Sequence, residues 1–190
     1  GVTGSGKTSV FVKLIERTLE LGRRALVLVP EIGLTPQMIR RLKSMFGSRL
    51  AVQHSALNNT ERLLQWRMIQ RGDADIVVGT RSAVFAPLQN IGLIILDEEQ
   101  EHTYQSESAP RYSAHEVARK RAAAENALLV FASATPRTET TFAAQSGRIR
   151  MVTLKNRYGG RPLPGVEFAD MRPELASCNP RQVSARLPEG

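Results

Sequence analysis

Cysteine is nearly absent from these 190 residues: Cys178 is the only one, which excludes an internal disulfide and a thiolate metal cluster. Such usage suits a reducing compartment, and the cytoplasm is the expected location. No apolar run approaches the ~18 residues of a membrane span. A secretory signal is also missing, so neither a membrane partner nor export is expected. The chain has no initiator methionine and reads as an excerpt from a longer protein. Acidic residues are the scarcer charge, 18 against 26 basic ones, for a formal net charge of +8. That excess suggests a polyanionic partner without defining a site for it. Hydrophobic residues make up 42%, enough for a sizeable core in one domain with a tail.

What is present begins at the first residue. Gly1-Val2-Thr3-Gly4-Ser5-Gly6-Lys7-Thr8 fills every position of the G-x-x-x-x-G-K-[ST] phosphate-binding loop. Glycines let successive backbone N–H groups turn inward as an anion nest, and the following helix adds its positive end. Gly4, Ser5, Gly6, Lys7 and Thr8 are therefore the expected contacts for the phosphates of ATP, with Lys7 on the β- and γ-phosphates and the Thr8 hydroxyl on Mg²⁺. Such a loop normally follows a buried strand. Because the chain opens on the loop itself, the expected fold has its first strand truncated.

Downstream, apolar runs of strand length alternate with helical patterns. Residues 10–21 carry a helical stripe stopped by Gly22, and residues 25–29 read as a strand buried on both faces, ending at Pro30. Thr35 and Pro36 read as N-cap and first residue of a helix that runs to Gly47. Residues 50–54 form a weaker strand, Asn58 with Glu61 a capping box, and residues 61–71 a helix ended by Gly72. Further strands are expected at 74–78, 91–96 and 128–132, with Ser113 and Glu116 boxing a helix to about Asn126. This alternation specifies an α/β fold, a mostly parallel sheet with helices on both faces. Ligands then bind at the carboxyl ends of the strands, where every polar motif falls. Beyond Leu154 the texture changes to glycine and proline, so 1–154 is expected to be the domain and 155–190 a linker, with a possible strand at 166–169.

The strand at 91–96 delivers Asp97-Glu98-Glu99-Gln100. A nucleoside triphosphatase needs such an acidic pair: Asp97 would hold Mg²⁺, and Glu98 would orient and polarise the attacking water. Lys7, Asp97 and Glu98 are thus the candidate catalytic residues. Ser133-Ala134-Thr135, at the end of a neighbouring strand, offers hydrogen bonds that could connect the acidic pair to the rest of the domain.

Together, GVTGSGKT (1–8), LVPEIGLTPQ (28–37), HSALNNTER (54–62), IVVGTRSAVFAPL (76–88), LIILDEEQ (93–100), PRYSAHEVA (110–118) and SATP (133–136) resemble the first motor lobe of the PriA replication-restart helicase family. The resemblance spans about residues 1–175 and implies a RecA-like lobe of a superfamily-two DNA helicase. It further implies ATP-driven 3′ to 5′ translocation on single-stranded and forked DNA at stalled forks, with other primosome proteins as partners in the bacterial cytoplasm, at the nucleoid. By the same resemblance the DNA path runs over Gly33, Thr35, Thr80, Arg81 and Ser82, where backbone N–H groups, hydroxyls and a guanidinium grip phosphates without reading sequence. Tyr104 and Tyr112 fall in the family's aromatic-rich loop and would stack on bases, although the residues alone favour packing against the core. Zinc and an arginine finger are expected only in a second motor lobe, which this sequence does not include.

Two positions depart from the pattern. Gln100 stands where the family has histidine, His102 follows two residues later, and His115 replaces an expected arginine. Gln100 donates and accepts hydrogen bonds but cannot become cationic, so that position's coupling role is the one placed in question. His54 has no ligand partner at metal spacing and reads as a strand-end residue. Other readings are another superfamily-two translocase, a self-contained phosphate-loop enzyme such as a small-molecule kinase, and a non-catalytic nucleic-acid module. The kinase would need lid arginines within the chain, and the module leaves Lys7, Thr8, Asp97 and Glu98 unexplained.

Overall fold

Continuous aliphatic runs become strands here because a parallel strand covered on both faces has no side left for water. The computed structural model describes residues 6–154. Gly1 to Ser5, the linker expected over 155–190 and the possible strand at 166–169 lie outside the described residues. Strands β1 (Arg24–Leu28), β2 (Leu50–Gln53), β3 (Ile76–Gly79), β4 (Ile91–Asp97) and β5 (Leu128–Ala132) form one sheet in the order β2-β3-β1-β4-β5, with every neighbouring pair parallel. The helices are α1 (Lys7–Glu20), α2 (Pro36–Phe46), α3 (Asn59–Arg71), α4 (Ala114–Glu125) and α5 (Thr138–Gln145).

Side chains alternate across a strand, so β1 and β4 feed two cores. Ala25, Val27, Leu93 and Ile95 pack with Phe11 and Ile15 of α1 and Leu42 of α2. Leu26, Leu28, Ile94 and Leu96 pack on the other face with Ile69 of α3 and Ala114, Ala118 and Ala122 of α4. Small residues on α4 let that helix lie close to the sheet. At one sheet edge β2 is buried throughout, and its Val52 N–H donates to Oε1 of Gln65 on α3 (2.8 Å). The other edge, β5, is half-exposed, and Leu128 keeps 54% of its surface.

Local chemistry accounts for the helix ends. Thr35 accepts from the Met38 N–H (3.2 Å) with Pro36 at the first helical position. Both halves of the Asn58–Glu61 capping box form, at 2.8 and 2.9 Å. The box expected at Ser113 does not form. Ser113 makes no side-chain cap bond, and its hydroxyl instead accepts from Gln105 Nε2 (3.2 Å), which ties the helix start to the preceding loop. Helix α5 has no counterpart among the sequence expectations, because it lacks both an apolar stripe and a side-chain cap. Gly79 is required by close approach: a Cβ there would sit 2.3 Å from the Gln53 carbonyl oxygen and 2.5 Å from the Ala83 Cβ. Among the described residues no helix is long and apolar enough to cross a membrane.

Candidate active site and nucleic-acid surface

Helix α1 begins at Lys7 after Gly6, which adopts the left-handed region (φ 80°) and offers no side-chain cap. A first turn without such a cap keeps its N–H groups available to an anion and points its dipole at it. Gly6, Lys7 and Thr8 are thus placed as the phosphate-loop reading expects, while Gly4 and Ser5 lie outside the described residues. Lys7 meets the end of β4, 91 residues away. Its Nζ donates to Glu98 Oε1 and lies 3.5 Å from Asp97 Oδ1.

The acidic turn is held from several sides. Glu98 has a positive φ of 44°, an uncommon backbone for a non-glycine residue and one often found at functional sites. Its N–H donates to Asp97 Oδ1 (3.0 Å), and Gln100 Nε2 donates to its Oε2 (3.0 Å). Gln100 Oε1 in turn accepts from the Ser133 hydroxyl, which itself accepts from the Thr135 N–H (2.8 Å). The glutamine therefore uses both ends of its amide to join the acidic turn to the Ser-Ala-Thr segment after β5, and it needs no charge to do so. Burial raises the Asp97 carboxyl above its ordinary range, a shift that nearby Lys7 only partly offsets. Burial would also raise Glu98, but the Lys7 and Gln100 hydrogen bonds outweigh it and hold that carboxyl low. The oxygen donors of Asp97 and Thr8 are of the hard type that Mg²⁺ takes, and Asp97 has Lys7 as its neighbouring positive charge, 3.5 Å away.

Glu99, whose role the sequence did not reveal, points into the interior and is fully buried. Its carboxylate accepts from the Arg137 N–H (2.8 Å) and the Thr140 hydroxyl (3.2 Å), and His115 Nε2 donates to its carbonyl (2.8 Å). Burial would raise this carboxyl, but His115 Nε2, 3.5 Å from its Oε2, followed by the Arg137 and Thr140 donors, brings it below the ordinary value. No periodicity marks it, because β4 ends at Asp97 and Glu99 lies in the turn that follows, where strand alternation no longer holds.

Of the residues assigned to the DNA path, most gather at the carboxyl ends of β1, β2 and β3. Gly33 closes a short turn after β1 (Glu31–Gly33), and the Thr35 hydroxyl is the α2 cap already described. Thr80, Arg81 and Ser82 line a cleft of about 470 Å³ together with Glu31, His54, Arg62 and Trp66. Thr80 is nearly buried at the base of its loop, and Ser82 is exposed. Arg81 Nη1 donates to the carbonyls of Thr103 (3.3 Å) and Gln105, and its guanidinium lies 5.6 Å from the centre of the Tyr112 ring. It is a brace between two loops, beyond the simple phosphate contact expected of it. Tyr112 is half-exposed and edge-on to Phe85 (4.8 Å).

Tyr104 corrects the sequence expectation. It is 1% exposed, packs edge-on to His115 and donates its hydroxyl to the Asp97 carbonyl (2.7 Å). A ring sealed in the core cannot stack on a base. It links the 102–112 loop to the acidic turn from inside.

Comparisons with known proteins bear on this geometry. The family pattern of DEAD/DEAH box helicases matches residues 1–142. The replication restart protein PriA of Bacillus subtilis is 49% identical over 189 residues, which cover 100% of this chain and 24% of that protein. PriA of Synechocystis is 46% identical, covering 98% of this chain and 23% of the relative. The chain thus spans about a quarter of the length of these relatives. Among solved structures, RecG bound to a three-way DNA junction aligns at TM-score 0.54 and 25% identity, covering 76% of this chain and 18% of that one.

Proposed function

This chain belongs to the DEAD/DEAH box helicase family, and from that premise we propose that it is the ATP-binding motor lobe of a replication-restart DNA helicase. The observation that carries the reading is the meeting of Lys7 with Asp97 and Glu98 across 91 residues of sequence, with Gln100 and Ser133 wired to the same carboxylates. Sequence similarity to PriA over nearly the whole chain supports the restart role, and the net charge of +8 suits DNA as partner. Translocation from 3′ to 5′, forked DNA as substrate, other primosome proteins as partners and a place in the bacterial cytoplasm at the nucleoid belong to the same proposal. The extents 1–154 for the lobe and 155–190 for a linker are part of it.

In this mechanism the start of α1 receives the phosphates of ATP, and Lys7 exchanges its carboxylate partners for them. Mg²⁺ held by Thr8 and Asp97 would neutralise phosphate charge. Once Lys7 has moved, Glu98 keeps Gln100 as an orienting donor and is free to accept a proton from the attacking water. Gln100 then passes a change at Glu98 to Ser133 and the segment after β5. Along the other route, Tyr104 ties the Asp97 carbonyl to the loop that Arg81 braces against the DNA-facing surface. Nucleotide state and DNA contact are coupled through hydrogen bonds a few residues long.

Two variants of the full-length protein test the assignment. Lys7→Ala should abolish ATP turnover while single-stranded DNA binding survives. Glu98→Gln keeps the shape but loses the base, so ATP should bind with near wild-type affinity while turnover falls at least ~100-fold, the scale of a lost general base. Nucleotide-binding titrations and steady-state hydrolysis with and without single-stranded DNA measure both. Wild-type turnover in Lys7→Ala would overturn the reading.

A further inference from the structure

The cleft beside the Thr80–Ser82 loop contains a surface that the mechanism above does not use. One wall is α3, which presents Arg62 and Trp66 to it. Four residues apart, they stand one turn above the other on the same helix face. Trp66 is the only tryptophan of the chain and stays 39% exposed, while Ile69 supplies the buried anchor of α3. Arg62 is loosely engaged, its Nη2 reaching the Ser55 and Leu57 carbonyls only at 3.4 and 3.5 Å. Arg81 and Ser82 also line the cleft, as does Glu31, whose carboxylate accepts from the Ser55 hydroxyl at 3.3 Å.

We propose that this cleft is a nucleotide pocket for the bound single strand: one base lies on the Trp66 indole, and the phosphate beside it is held by Arg62. The proposal rests on the helicase reading and adds a base-stacking contact on α3, apart from the 102–112 loop that carries Tyr112. The size fits, because about 470 Å³ is in the range of pockets that enclose one small-molecule ligand. The chemistry fits as well. An aromatic face and a neighbouring cation are the two elements that single-strand binders combine, and stacking tolerates any base. Two guanidinium groups lining one cleft, Arg62 and Arg81, favour a ligand that carries more than one phosphate, as a stretch of strand does and a free mononucleotide does not.

The test uses the full-length protein with Trp66→Ala, Trp66→Phe and Arg62→Ala. A labelled oligodeoxynucleotide reports affinity by fluorescence anisotropy. Trp66→Ala should weaken binding by roughly 5- to 150-fold, the range of one lost base stack. Trp66→Phe should recover most of it, and Arg62→Ala should weaken binding and flatten its salt dependence. ATP hydrolysis without DNA should be unchanged in all three, which separates a lost contact from a lost fold. An oligonucleotide carrying 5-iodouracil should photo-crosslink at Trp66 in the wild type. Wild-type affinity in Trp66→Ala, or crosslinks that avoid α3, would overturn the pocket and leave the helicase reading standing. If the wild-type protein neither binds single-stranded DNA nor is stimulated by it, the helicase reading itself fails. Competition by deoxyadenosine monophosphate as effective as by the oligonucleotide would overturn the strand assignment, since the pocket would then serve a free nucleotide.

Discussion

At the scale of single residues, the acidic turn sets function against stability. Asp97 has a carboxyl raised by burial, so its ionised form is disfavoured in the folded protein relative to the unfolded chain. A raised carboxylate contributes fully below its unfolded value of 3.8, and that contribution is lost as pH rises through the folded value. At neutral pH the ionised Asp97 therefore costs stability. Asp97→Asn is expected to raise the melting temperature of the nucleotide-free protein by a few degrees and to remove this part of the pH dependence, while ATP turnover is lost. Thermal melts between pH 4 and 8 for both proteins would check it, and a lower melting temperature at pH 7 would contradict it. The place of Asp97 at the end of β4 was legible in the sequence, because the apolar run over 91–96 has to stop where the acidic residues begin. The resemblance put Tyr104 on bases where the residue alone favoured the core; a tyrosine in a loop shows no periodicity that separates a buried ring from an exposed one, and only the Asp97 carbonyl beneath it reveals which it is.

Among the elements, the strands were the most legible. Aliphatic runs such as 93–96 have one stable arrangement, and the caps at Thr35 and Asn58 carry their own side-chain partners. The Ser113 box was misread because a competing donor, Gln105, sits outside the helix pattern and is brought to the hydroxyl by an isolated antiparallel bridge between the two residues. Helix α5 was invisible for lack of a stripe. The segment from Arg81 to Leu88, a 3-10 helix over Arg81–Phe85 followed by an irregular stretch, shows how a distant helix fixes a connection. Arg121 of α4 donates to the carbonyls of Val84 (2.7 Å), Ala86 (3.0 Å) and Leu88 (2.8 Å), and its burial lowers its basicity only in part because Glu125 opposes the shift. Arg121→Ala would leave these carbonyls without their donor, at a cost of about 2–3 kcal/mol. Arg121→Lys should recover little, because one ammonium cannot reproduce the planar fork. Chemical denaturation measures the loss, and a fall in DNA-stimulated hydrolysis larger than in basal hydrolysis would show that the loop position matters to coupling.

For the whole molecule, the quarter-length coverage of its relatives sets the expectation. An arginine finger from another lobe typically contributes roughly 10³–10⁵ in turnover. Residues 1–190 alone should hydrolyse ATP far more slowly than the full-length protein, and a comparison of the two by single-turnover assay decides it. Rates typical of the intact motor from the isolated chain would refute the two-lobe mechanism. The distance in sequence between Lys7 and Glu98 has one more consequence, for the chain during synthesis. Parallel pairing joins segments remote in sequence and is slow to form, and the acidic turn arrives only after β1, β2 and β3 have been made. A ribosome-bound nascent chain therefore carries the start of α1, the proposed phosphate site, without its counterpart until β4 has docked. Protection of that chain from protease by nucleotide should begin only once residues past Gln100 have left the exit tunnel.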